Sequence, residues 1–149
     1  TGNEILKVGE QISKDKIPSG NSLMLASMVQ EFGGIARILP VAKANLQDIY
    51  EMIENALDSD LIITTGGVSV GKYDLIQKAL SKFKNKIEFW KIAMRPGKPL
   101  LFSKINNTPL IGLPGNPVSS GVCSLIFVNT AIRKMLGAIA ISLFWKMVF

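Results

Sequence analysis

An α/β domain, three layers with helices on both faces of a mainly parallel sheet, is predicted by three features of the chain. Short β-branched and aliphatic runs alternate along it with segments of helical apolar period. One such run, Leu61–Thr65, opens into three glycines within six positions and then into a second helical segment. The length, 149 residues with 48% apolar side chains, suits one well-formed core and is short for two ordinary domains. Strand and helix in alternation bury their apolar faces best as a sheet covered on both sides.

In chain order, Thr1-Gly2 read as the end of a strand whose body lies upstream, and Gly9 marks a polar turn. Ile17–Asn21 is a loop, with Asn21 or Ser22 available to cap a helix whose apolar face carries Leu23, Leu25, Val29 and Phe32. Gly33-Gly34 stop that helix, and Ile35–Leu39 is expected to be a buried strand. Asn45 caps a helix with Leu46, Ile49, Met52, Ile53, Ala56 and Leu57 at helical spacing. The strand Leu61–Thr65, a glycine loop and a helix over 75–84 follow. Lys86–Ile92 alternates as a strand, Leu100–Ser103 resumes after the Arg95–Pro99 loop, and Pro109–Leu113 is another strand beyond the Asn106-Asn107 turn. A long apolar helix, Val118–Leu136, ends at Gly137. In parallel sheets ligands sit at the carboxyl ends of the strands, so the turns after Thr65 and after Leu113 should share one edge.

Charge and composition exclude several classes. The net charge of +6 is uneven: residues 1–71 hold five basic and nine acidic side chains, whereas residues 72–104 hold nine basic and two acidic. Aromatics are few and not interleaved with the lysines, which argues against a nucleic-acid platform and for solvated helix faces or a multiply anionic small ligand. No apolar run reaches the ~18 residues of a membrane span, because Arg133-Lys134 and Lys146 interrupt it. The single cysteine, Cys123, permits no internal disulfide and fits a reducing compartment, and the absence of histidine leaves it without an imidazole base. No initiator Met and no secretory segment open the chain, so it reads as a piece of a longer protein. The domain is expected to span residues 1–137. The apolar tail, residues 138–149, has three open placements: an unfilled sheet edge, a partner chain, or no native role.

Strand, glycine-rich turn and helix are how an α/β protein builds an anion site. Glycines allow a tight turn and close backbone approach, and a helix start offers unpaired N–H groups. Thr65, Gly66, Gly67, Val68, Ser69 and Gly71 form the candidate cradle. Arg95 and Lys98, in a loop stiffened by Pro96 and Pro99, are candidate partners for anionic oxygens. Pro114, Gly115, Asn116 and Pro117 make a rigid second wall.

Three blocks in order, Thr64-Thr65-Gly66-Gly67-Val68-Ser69-Val70-Gly71-Lys72-Tyr73-Asp74, Arg95-Pro96-Gly97-Lys98-Pro99 and Gly112-Leu113-Pro114-Gly115-Asn116-Pro117-Val118-Ser119, accompany the opening Thr1-Gly2-Asn3-Glu4. Together they resemble the molybdopterin molybdenumtransferase family, of the bacterial MoeA and gephyrin E-domain type, over about residues 1–137. MogA-type and CinA-type proteins share the fold but lack the second and third blocks. The resemblance implies the MogA-like molybdopterin-binding fold and a part in molybdenum cofactor biosynthesis. Adenylated molybdopterin would be bound, molybdate inserted at its dithiolene, and adenylate released with Mg²⁺. It implies Asp74 and Glu4 as catalytic and metal-binding acids. Asn21, Ser22, Arg95, Lys98 and the two glycine-bearing turns would bind the pterin phosphate. It also implies a cytoplasmic location and a homo-oligomer, at least in the full-length parent.

Three departures accompany the likeness. Asn3 stands where the family has Asp, Lys43-Ala44-Asn45 where it has an acidic pair, and Ile17–Asn21 where it has Tyr-Asp-Ser/Thr-Asn. Fewer acids weaken a hard-cation site. These residues are therefore expected to bind pterin phosphate but to turn over poorly or not at all. The alternative is a non-catalytic scaffold that keeps the fold for protein association.

Overall fold

The computed structural model describes residues 5–6, 17–18, 20–67 and 75–138. Strands β1 (Ile5–Leu6) and β2 (Ile17–Pro18) form a two-residue parallel pair. Helix α1 (Gly20–Glu31) follows, then α2 (Leu46–Glu54), β3 (Ile62–Thr65), α3 (Leu75–Leu80), β4 (Asn85–Trp90), β5 (Leu101–Ile105) and β6 (Thr108–Leu113). The last helical run comprises α4 (Pro117–Cys123), a π-helical turn (Ser124–Val128) and α5 (Asn129–Met135).

The main sheet has the order β3-β6-β5-β4. Only β3 and β6 are parallel; β5 runs antiparallel to both β6 and β4. The expectation of a mainly parallel sheet is thus corrected to an open mixed one. The reason lies in the connections. Parallel neighbours need a crossover of a dozen or more residues, usually a helix, and no helix separates β4, β5 and β6. A two-residue turn at Asn106-Asn107 joins β5 to β6, with Asn106 in the left-handed region at φ 53°.

Helices do cover both faces. Ile49 and Ile53 of α2 and Ile76 and Leu80 of α3 pack with Leu101, Ile105 and Leu110 on one side. Leu25 of α1 and Cys123, Val128 and Ile132 of the last helical run pack with Ile111 and Leu113 on the other. Leu110 and Ile111 are neighbours in β6 yet belong to opposite clusters, as the two-residue period of a strand requires.

Two further expectations change. Helix α3 stops at Leu80 rather than at residue 84, in tight turns where Lys82 and Phe83 bond back to the carbonyls of Ala79 and Leu80. Phe83 there stacks on Tyr50 of α2, ring centroids 4.6 Å apart. Ile35–Leu39 is not a buried strand: it joins no ladder, Ile35 is fully exposed and Ile38 half exposed. A strand needs a neighbour to satisfy its backbone, and a cavity of about 1700 Å³ separates this segment from β3. Arg37 anchors the segment from outside, pairing with Asp58 and donating to the Asn55 carbonyl at 3.0 Å.

Asn45, in the stretch that departs from the family's acids, is a helix cap. Its side chain accepts from the Asp48 N–H at 2.8 Å and donates to the Asp48 carboxylate at 2.9 Å. Replacing it by alanine should cost about 1 kcal/mol, read as a lower urea midpoint at unchanged slope. An unchanged midpoint would show that the cap contributes nothing.

Candidate functional site

Pairing Ile62–Thr65 in register with Leu110–Leu113 brings two strands to their ends side by side. The ladder gains one more bond beyond them, from the Gly66 N–H to the Leu113 carbonyl at 3.1 Å. Both following turns therefore fall on one edge of the sheet, as the sequence predicts. Gly66 and Gly67 adopt φ of 75° and 73°, a region that side chains with a Cβ rarely enter. A methyl group on Gly115 would lie 3.5 Å from the Gly66 Cα, so the gap between the two turns at this point is about one methyl group wide.

The start of α1 meets them. Asn21 donates through Nδ2 to the Thr65 hydroxyl at 3.0 Å and to the Gly115 carbonyl at 2.8 Å. The Thr65 hydroxyl donates to the Pro114 carbonyl at 3.1 Å and lies 3.3 Å from the Ser120 hydroxyl, which also donates to Pro114. Asn116 begins α4 by accepting from the Ser119 N–H at 3.1 Å, with Pro117 at the first helical position. Asn21, Ser22, Thr65, Gly66, Gly67, Pro114, Gly115, Asn116 and Pro117 thus line one cleft end.

Arg95 and Lys98 are placed elsewhere. They line a smaller depression of about 470 Å³ with Ile92, Ala93 and Met94. Gly97 between them is buried at φ 119°, and a side chain on it would collide with Met94 and Cys123. Cys123 belongs to α4, so the helix that Asn116 starts at the cleft also supports the Arg95–Pro99 loop from beneath. Val68, Ser69, Gly71, Asp74 and Glu4 lie outside the described residues. Among the described residues no group of three or more acidic, cysteine or histidine side chains could hold a metal.

The sequence offers Asn21 as a helix cap or a ligand contact and Thr65 as a ligand contact; here both tie loops together. Ser120 was missed altogether. It is fully buried, and its one signal was a second serine directly after Ser119 in an otherwise apolar helix start. Chemically the cleft end offers backbone, amide and hydroxyl groups on glycine turns beside two helix starts. That arrangement suits an anion and a flat polar heterocycle.

Burial pushes the Cys123 thiol above its ordinary range. Native protein at pH 8 should therefore react with a disulfide reagent far more slowly than unfolded protein, and its fold should weaken as pH rises past the usual ~8.5 of a free thiol. Equal labelling rates before and after denaturation would contradict this placement.

Comparison with known proteins gives one consistent answer. Residues 2–134 match the family described as "Probable molybdopterin binding domain". The "Molybdopterin molybdenumtransferase 2" of Mycobacterium tuberculosis is 34% identical over 143 residues, which is 92% of this chain and 35% of that protein. The "Molybdopterin molybdenumtransferase" of Haemophilus influenzae is 36% identical over 141 residues, 92% of this chain and 34% of that protein. Among solved structures, a "molybdopterin biosynthesis moea protein" from Pyrococcus horikosii superposes with a TM-score of 0.83 at 28% identity, over 92% of this chain and 34% of that one. The chain spans about a third of the length of the curated relatives it matches. By the family match over nearly its whole length, and by a fold shared with solved relatives, this chain belongs to the molybdopterin-binding domain family.

Proposed function

We propose that these residues form the molybdopterin-binding part of a molybdopterin molybdenumtransferase acting in molybdenum cofactor biosynthesis. The observation that carries this reading is the convergence of the Thr65–Gly67 turn, the Pro114–Pro117 turn and the start of α1 on one cleft end. A phosphate on the pterin would take backbone N–H donors of the glycine turn, and Asn116 would stand near the pterin edge. Gly66 and Gly67 serve this by leaving the backbone uncovered. Arg95 and Lys98, held in their own rigid loop, would meet the more distant charged end of the substrate, molybdate or adenylate.

Asp74 and Glu4 are assigned as the acids that hold Mg²⁺, which would neutralise phosphate charge during adenylate release. The described part of the cleft end carries no carboxylate, so its own contribution is binding and orientation rather than proton transfer. The whole protein is proposed to be a cytoplasmic homo-oligomer. The domain itself is assigned to residues 1–137.

Calorimetric titration with molybdopterin, with and without Mg²⁺, tests the reading. Wild type should bind, Mg²⁺ should strengthen binding, and Asp74→Asn should abolish only that strengthening. Gly67→Ala should lower affinity at least ten-fold while shifting the melting temperature by no more than a few degrees. No binding by wild type would sink the assignment, and normal molybdate insertion by these 149 residues alone would refute the expectation of poor turnover.

A further inference from the structure

Ser120 is fully buried and does not line the cleft, so it touches no ligand itself. Its backbone N–H donates to the Asn116 carbonyl at 2.9 Å, and its hydroxyl donates to the Pro114 carbonyl. The same Pro114 carbonyl accepts from the Thr65 hydroxyl at 3.1 Å. One hydrogen bond already satisfies a buried carbonyl, and stability gains little from another. A second donor does something different. It holds both lone pairs of the oxygen, and the peptide plane behind it can no longer rock.

That plane is the Pro114–Gly115 peptide. The cis bond among the described residues is Arg95-Pro96, so Pro114–Gly115 is trans. In a trans peptide the N–H points away from the C=O. With its carbonyl held inward on Ser120, the peptide turns the Gly115 N–H outward, on an exposed residue that lines the cleft. Packing does not fix this orientation. Gly115 has no side chain, and a methyl group there would have the Gly66 Cα, 3.5 Å away, as its one near neighbour among the described residues.

Hydrogen bonds fix it instead. Ser120 and Thr65 hold the Pro114 carbonyl, and Asn21 donates to the Gly115 carbonyl at 2.8 Å. Asn21 and Thr65 both line the cleft, where polar groups of a ligand compete for them. Ser120 is sealed beneath the turn. It is the one grip of the three that a ligand cannot displace.

We propose that Ser120 is a positioning residue of the molybdopterin site, aiming the Gly115 N–H at an acceptor oxygen of the ligand through the Pro114 carbonyl. The ligand in this inference rests on the molybdopterin reading above; the geometry does not. Two variants and one amide resonance test it on the full chain. Ser120→Ala leaves the Pro114 carbonyl its bond from Thr65, so the melting temperature should shift by only a few degrees. Its affinity for molybdopterin, by calorimetric titration, should fall about five-fold. Ser120→Thr restores the hydroxyl and should recover affinity to within about two-fold of wild type. In the ligand-free protein, nitrogen-15 relaxation should show the Gly115 N–H ordered in wild type and mobile in Ser120→Ala. In wild type alone, saturating molybdopterin should move the Gly115 amide proton downfield, a readout that needs no variant to fold.

Equal Gly115 order in wild type and Ser120→Ala would overturn the inference, whether or not molybdopterin binds. So would equal affinity in the two, an affinity loss that Ser120→Thr leaves unrepaired, or a Gly115 resonance unmoved at saturation. Failure of wild type to bind would sink the functional reading, and the ligand-free Gly115 measurement would still decide the positioning role.

Discussion

Four residues of parallel pairing, Ile62–Thr65 against Leu110–Leu113, hold the working end of the molecule together. Because the two strands finish level, the turns that leave them must emerge side by side. Everything polar at the cleft then follows from filling the space between them. Asn21 spans from α1 to both turns, Thr65 reaches across to the Pro114 carbonyl, and Ser120 rises from α4 to the same carbonyl. Each such bond contributes only about 0.5–1.5 kcal/mol net, but each one lost would strand a partly buried partner. Shifting the pairing by one residue would face Thr65 and Leu113 the wrong way and undo the whole knot.

The last helical run connects this knot to the second loop of interest. Asn116 starts it at the cleft, and Cys123, less than two turns later, lies against Gly97 in the Arg95–Pro99 loop. Arg95 and Lys98 line a different hollow from the cleft turns, Pro99 reaches the cleft cavity itself, and both loops rest on one rod. A ligand long enough to touch both would meet them at a spacing set by that rod rather than by loop flexibility. The buried thiol, its titration pushed up by burial, contributes to this as a small apolar filler, not as a nucleophile.

The layers, the helix start at Leu46 and the shared edge of the two turns were readable in the sequence because they depend on local period and capping, whereas α1 begins at Gly20, ahead of the cap expected at Asn21 or Ser22. Asn45 could be named as a cap from its place before an apolar period alone. Strand direction was not readable. The residues Asn106-Asn107 signal a turn, yet only the missing helix between β4, β5 and β6 implies antiparallel neighbours, and alternation elsewhere masked that. Ile35–Leu39 misled for a related reason: a β-branched apolar run reports preference for burial, not the presence of a partner edge. At the site, residue types were legible and their partners were not. Asn21 and Thr65 looked like ligand contacts because nothing in a linear chain shows that residues 44 positions apart will bond to each other.

The π-helical turn at Ser124–Val128 bears on how such a chain tolerates change. Ser120, Ser124, Val128 and Ile132 are all buried, each four residues after the last. On an uninterrupted α-helix a strict four-residue repeat would slip about 40° around the axis at every step, leaving the sheet within three steps. The wider turn takes up more residues per revolution and brings the stripe back into line. It acts as a vernier between two rulers of different pitch. Deleting one residue there would turn the i→i+5 bond from the Asn129 N–H to the Ser124 carbonyl into an ordinary i→i+4 bond and leave the Asn129–Met135 segment facing the same way, with Ile132 still in the core. The widened turn is thus the one stretch of this helix where a residue of length can come or go while the buried stripe on either side keeps its facing, whereas the same change within α4 or α5 would turn that stripe by about 100°.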